Sequence, residues 1–129
     1  MVALNSVPEK DFQRQVLSVA KACNWAVWHI PDARQQVGGK LVGARLAAGL
    51  PDLVLVHRAH GFVFAELKRE KNGRVRPAQK VALGKMAEAA MVTTMGGAKV
   101  RVHLWRPSDY DEVVLPLLQK GVGPVVYGI

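Results

Sequence analysis

Two short apolar runs constrain this chain more than anything else in it. Leu53-Val54-Leu55-Val56 follows Gly49-Leu50-Pro51-Asp52, and Phe62-Val63-Phe64-Ala65 leads into Glu66-Leu67-Lys68. The runs read as two strands joined by a tight connection from His57 to Gly61. No polar residue interrupts either, which predicts strands buried on both faces. Asp52, Glu66 and Lys68 are then charges at the ends of buried strands. Such charges are costly unless they pair or hold a metal.

Side chains alternate along a strand, so Glu66 and Lys68 share one face and Leu67 takes the other. Asp52 joins them only if it lies opposite an even-numbered residue of the second strand. In that register two carboxylates and an ammonium converge. Two carboxylates with open positions suit a hard cation such as Mg²⁺, which takes oxygen ligands and keeps several waters. A metal there polarises a phosphate and supplies hydroxide, while the lysine steadies the water or the developing charge. This is equipment for hydrolysing a phosphodiester.

Pro51-Asp52, a spacer of thirteen residues, then Glu66-Leu67-Lys68 resembles the PD-(D/E)xK nuclease motif. With Gly49-Leu50 before it and Gln79 after it, the pattern is similar to the VRR-NUC branch (virus-type replication-repair nucleases), especially its small stand-alone phage members. The resemblance implies an α/β fold with a restriction-endonuclease-like core. Its mixed central sheet has about four strands flanked by helices, in a single domain over 1–129. It also implies a metal-dependent DNA endonuclease, using Mg²⁺ or Mn²⁺, in phage DNA replication, repair or recombination. Such an enzyme is selective for DNA structure, in the manner of a Holliday-junction resolvase. Asp52 and Glu66 are the implied metal ligands, with the backbone carbonyl of Leu67 completing the site, and Lys68 orients or helps deprotonate the attacking water. Symmetric cutting of a junction needs two active sites, so a C2 homodimer follows. The chain departs from the family at Val81-Ala82-Leu83, where members commonly carry a tryptophan, a difference that touches packing rather than chemistry.

Two other polar residues head apolar helical stripes. Ser6-Val7-Pro8-Glu9 predicts a helix start, with Ser6 as N-cap and Glu9 completing a capping box. The helix runs to about Cys23 and stops at Asn24. Its stripe of Phe12, Val16, Val19, Ala20 and Cys23 extends back to Glu9. Glu9 is thus either the box partner alone or a third acid at the metal site. The resemblance implies the second, because the family's N-terminal helix contributes such a glutamate. Pro77 opens a second helix to about Met91, with Leu83, Met86, Ala87 and Ala90 buried. One turn back from Leu83 stands Gln79, matching a family glutamine that positions the metal-bound water or the lysine.

The remaining segments carry the positive charge. Trp25 to Ile30 reads as the first strand. His29 at its end is structural or, as the resemblance implies, a contact to phosphate or a metal-bound water. Asp32 to Ala48 has no clean period and reads as a basic flap, with Arg34, Lys40 and Arg45 on the DNA backbone. Asn72-Gly73 marks a basic turn after Lys68. Its Arg69, Lys71, Arg74 and Arg76 neutralise phosphates and make binding salt-dependent. Lys99 to Trp105 alternates, which predicts Val100, Val102 and Leu104 inward and Lys99, Arg101 and His103 on a wet basic face. Strand, helix and strand from Phe62 to Trp105 form a right-handed crossover, so the two strands are parallel. Ser108 caps a last helix to about Lys120, and Val125-Val126-Tyr127 adds an edge strand or packs on a partner subunit.

Composition narrows the partners. The 129 residues carry 18 Lys and Arg against 10 Asp and Glu, a formal charge of +8. That surplus favours nucleic acid or an anionic membrane. No apolar run nears the roughly 18 residues that span a bilayer, and Met1 to Ser6 does not read as a signal peptide. The single Cys23 excludes an internal disulfide and a Cys-based zinc site. The expectation is a cytoplasmic protein, in a bacterial host cell if phage-encoded, with DNA and no membrane as partner. Two rivals share these features. One is a non-catalytic nucleic-acid-binding protein on the same scaffold, and the other is a phosphodiesterase acting on RNA or single strands.

Overall fold

The computed structural model describes residues 7–30, 36–37, 40–41, 49–71 and 73–129, with backbone alone at 36–37 and 40–41. Ser6, Arg34, Arg45, Asn72 and the side chain of Lys40 lie outside the described residues, and with them most of the expected flap.

Helix α1 spans Glu9–Ala22 and Pro8 precedes it as N-cap in extended conformation. Glu9 is therefore the first helical residue, not the third residue of a box headed by Ser6. Asn24 ends the segment at φ +67°, a left-handed conformation that asparagine tolerates. The strands are β1 (Ala26–His29), β2 (Gln36–Val37), β3 (Lys40–Leu41), β4 (Leu53–His57), β5 (Gly61–Leu67), β6 (Val100–Trp105) and β7 (Val126–Tyr127). Helix α2, Pro77–Met95, outruns the expected end at Met91 by a turn. The predicted last helix is instead a 3₁₀ turn (Pro107–Asp109), a π turn (Tyr110–Val114) and a short α3 (Leu115–Lys120). Ser108 does not cap it. Asp109 Oδ2 accepts from the Arg106 N–H at 2.8 Å, and the Ser108 N–H goes to Glu70 Oε2 at 3.0 Å.

Among the described residues, five strands form one sheet in the order β1-β4-β5-β6-β7, and β2 pairs with β3 apart from it. The β1-β4 and β4-β5 pairs are antiparallel, whereas β5-β6 and β6-β7 are parallel. The chain is thus an α/β protein with a mixed sheet flanked by helices, one strand wider than expected because the tail joins as β7. On one face Leu53, Leu55, Val63, Ala65, Leu67 and Trp105 bury against α1 and α3. On the other, Phe64, Val102 and Leu104 pack against Leu83, Met86 and Ala90 of α2. Among the described residues no helix is long and apolar enough to cross a membrane.

Two expectations fail here. The odd-numbered face of β6 is not wet, because the returning C-terminal segment covers it. The Arg101 guanidinium donates to the carbonyls of His60, Gly121 and Gly123. His103 is fully buried, and its Nδ1 accepts from the Trp105 indole N–H at 2.9 Å. Nε2 must then carry the ring proton and donate to Pro124 O at 2.8 Å. β6 therefore offers no basic face to phosphates. The hairpin is also not buried on both faces. Val54 and Val56 are half-buried and Phe62 is exposed, since among the described residues α2 lies over β6 and β7 and leaves the β1-β4 side of its face open.

Candidate functional site

Strand register brings the charged residues together. Leu53 pairs with Ala65 and Val54 with Phe64, so Asp52, one step on, stands opposite Glu66. Both acids and Lys68 then lie on the α2 face of the sheet. Asp52 is held from two sides. Its carbonyl accepts from the Ile30 N–H at 2.7 Å, and its Oδ2 accepts from the Leu67 N–H at 2.9 Å. The Leu67 N–H thus points toward β4, while the Lys68 N–H points the other way, to Trp105 O at 3.0 Å. A strand residue presents its N–H and C=O on the same edge, so the Leu67 carbonyl leaves toward Asp52.

Glu66 is only 2 % exposed. Lys68 Nζ lies 3.9 Å from its Oε1, with the lysine side chain 12 % exposed. Ionised, Glu66 keeps Oε2 buried without a hydrogen-bond partner. Its pKa is pushed up to about 9, first by burial, then by the hydrogen bond that its protonated form donates to Asp52, by charge repulsion from Asp52 and by the charge of Glu9, with Lys68 opposing. Negative charge thus exceeds positive around a buried carboxyl group. Such a group takes up either a proton or a cation.

Glu9 comes close enough from α1 for its charge to act on Glu66. Gln79 is buried in the first turn of α2, and its Oε1 accepts from the Arg76 N–H at 3.0 Å. That bond caps the helix with the carbonyl end of the side chain, leaving the amide nitrogen as the end not used in the cap. The helix start is set beside the Asp52 segment by Gly49. At φ +85°, a Cβ there would sit 2.6 Å from Ala78 O, so only glycine lets α2 approach so closely.

His29 is not gathered with these groups. It pairs with Leu53, which places it on the α1 face, and it lines an open groove of about 450 Å³ with Arg14, Leu17 and Lys21. The basic turn is compact, because Arg106 donates to Arg69 O and Glu70 holds the Ser108 N–H. It presents Arg69, Lys71 and Arg74 to solvent, with Arg76 half-buried. Sequence reading does not single out Trp28 and assigns Phe62 to the core, yet both are exposed on the face of the acid pair. Their apolar surroundings in the chain carry no signal that the face is open.

A divalent ion fits the donor set. Among the described residues no group of three or more His, Cys, Asp or Glu side chains gathers to hold a metal. Mg²⁺ needs only one or two carboxylates, with waters and substrate oxygens filling the rest of its shell. The buried Oε2 of Glu66, without a hydrogen-bond partner, is the kind of group such an ion satisfies.

Fold and site together define an α/β protein whose strand ends gather two acids and a lysine on one face of a mixed sheet. No protein-family model, curated protein or solved structure matches the chain.

Proposed function

We propose that this protein is a metal-dependent DNA endonuclease with a PD-(D/E)xK core, similar to the VRR-NUC branch. The observation that supports it most is the pairing of Asp52 with a buried, partnerless Glu66 oxygen beside Lys68. Asp52 and Glu66 would hold Mg²⁺ or Mn²⁺ together with the Leu67 carbonyl, and Glu9 would add charge from α1. When bound, the ion polarises the scissile phosphate and lowers the pKa of water. Lys68 orients the attacking water and offsets the charge that builds on the phosphate. Gln79 positions the site through α2. Arg69, Lys71 and Arg74 hold the flanking phosphates, which gives affinity without base readout.

The test is a cleavage assay on four-way junction, duplex, single-stranded and RNA substrates with Mg²⁺, Mn²⁺ or EDTA. Metal-dependent cleavage of DNA is expected. Lys68→Ala and Glu66→Ala should each lower the rate by orders of magnitude while circular dichroism stays unchanged. Salt-dependent binding with no cleavage under any condition would identify a non-catalytic binding protein instead. Cleavage of RNA alone would exchange the substrate. Sedimentation on junction DNA tests the C2 homodimer that symmetric resolution requires, and a strict monomer removes that version while leaving a simple nuclease.

A further inference from the structure

The open half of the α2-side face has a composition of its own. Pairing across β1, β4 and β5 aligns Ala26-Val56-Phe62 in one row and Trp28-Val54-Phe64 in the next. The row after that holds Ile30, Asp52 and Glu66. Trp28 is 58 % exposed and Phe62 47 % exposed, both on the face that carries the acids. Apart from that pair, no strand residue of the face is acidic. Arg58 is exposed at the hairpin tip. Lys68 stands at the other end. Two bare aromatic rings thus lie on an apolar floor with cations at both ends.

We propose that this face is a stacking platform for unpaired nucleotides of a DNA strand, with Trp28 as the main ring and Phe62 as the second. Strand geometry puts the Trp28 backbone about 8 Å from that of Asp52, one strand over and one row along, and Phe62 about 13 Å from Glu66. A strand whose phosphate sits at the acid pair and which runs toward the hairpin tip meets Trp28 first and Phe62 second. Lys68, and then Arg58, lie where its phosphates pass. Bases in a duplex have their faces covered by their neighbours, so the platform selects a single strand or a single-stranded arm of a branched DNA. This inference rests on reading the acid pair as the phosphodiester site, but its test needs no catalysis.

Of the three tryptophans only Trp28 is exposed, since Trp25 and Trp105 are buried. Intrinsic fluorescence therefore reports on this face directly. A short oligothymidylate titrated into the full chain in EDTA and low salt should give saturable quenching, and a matched duplex far less. Trp28→Ala should remove the quenching. It should also weaken single-strand binding, followed by anisotropy of a labelled oligonucleotide, by about 5- to 150-fold while changing duplex binding little. Phe62→Ala should give a smaller loss, and Trp28→Tyr should restore most of the affinity. Unchanged single-strand binding in both alanine variants overturns the proposal. So does a wild-type dimer that Trp28→Ala splits in sedimentation, which would make the face a subunit contact. If stacking holds in EDTA but no metal yields cleavage, the nuclease reading fails and the platform stands. If cleavage proceeds and the alanine variants bind normally, only the platform fails.

Discussion

Glu66 should make the metal-free protein less stable as pH rises, and Glu66→Gln should remove that dependence. The ordinary carboxyl pKa of 4.5 is pushed up to about 9 in the folded chain. Between those values the native protein holds a proton that the unfolded chain has released. Stability then falls with pH by roughly 1.4 kcal/mol per unit across the window, is fully present below the unfolded pKa, and is lost by about pH 9. From about pH 6.5 to about pH 8.5 the loss comes to roughly 3 kcal/mol. At roughly 2.1 cal/mol/K per residue, unfolding entropy for 129 residues is about 270 cal/mol/K, so the midpoint drops by about 5 °C per pH unit.

The assay is thermal unfolding in EDTA across that range for both proteins. The wild-type midpoint should fall by about 10 °C relative to Glu66→Gln, whose own profile should lack the slope. Adding Mg²⁺ or Mn²⁺ should reverse part of the loss in the wild type, and more so at higher pH, because the ion replaces the proton. Little response is expected from Glu66→Gln. Parallel profiles for the two proteins in EDTA would falsify the claim that the acid pair shares a buried, uncompensated charge.

Three further outcomes are expected. Gly49→Ala strains a positive-φ site and drives a methyl into Ala78 O, so it should destabilise by about 1–3 kcal/mol, read from denaturant midpoints. His103 is held neutral, chiefly by burial, with its pKa lowered, so the unfolded chain binds the extra proton. Stability should fall as pH drops below about 6.5, with His60 acting in the same direction, and a Glu66→Gln background isolates this limb from the opposing one. Replacing Arg69, Lys71 and Arg74 with alanine should weaken DNA binding evenly across sequences. On duplex DNA it should also reduce the slope of log affinity against log salt, by up to about 0.9 for each phosphate no longer neutralised.

The hairpin and the helices at either end of it were legible in the chain because each carries a periodic apolar signal. Asp52, Glu66 and Lys68 were legible as candidates because charge is conspicuous at the end of an apolar run. Coverage was not legible. Val54, Val56 and Phe62 are as apolar as any core strand, but α2 reaches only the β6 side, and no residue of the hairpin encodes the reach of a helix elsewhere in the chain. The β6 face misled for the opposite reason. Arg101 and His103 alternate with valines as solvated residues do, yet the carbonyls of His60, Gly121, Gly123 and Pro124 satisfy them. A polar side chain buried by long-range hydrogen bonds looks the same in sequence as one in water.

Whether the acids meet at all is decided five rungs away from them. β4 and β5 pair from His57 with Gly61 to Leu53 with Ala65, and Asp52 reaches Glu66 only because that ladder has no bulge. The His57 Nδ1 accepts from the N–H groups of Ala59 and His60 at 3.0 and 3.3 Å, which closes the turn at a fixed length. Gly61 leaves it at φ +83° with its Cα against Lys99, where any side chain would collide. A slip of one residue would set Asp52 against Ala65 or Leu67 and turn it to the α1 face, away from Glu66. The turn therefore does more than join two strands. By fixing the register it sets one carboxylate opposite the other, and the proposed metal site at the far end depends on that placement.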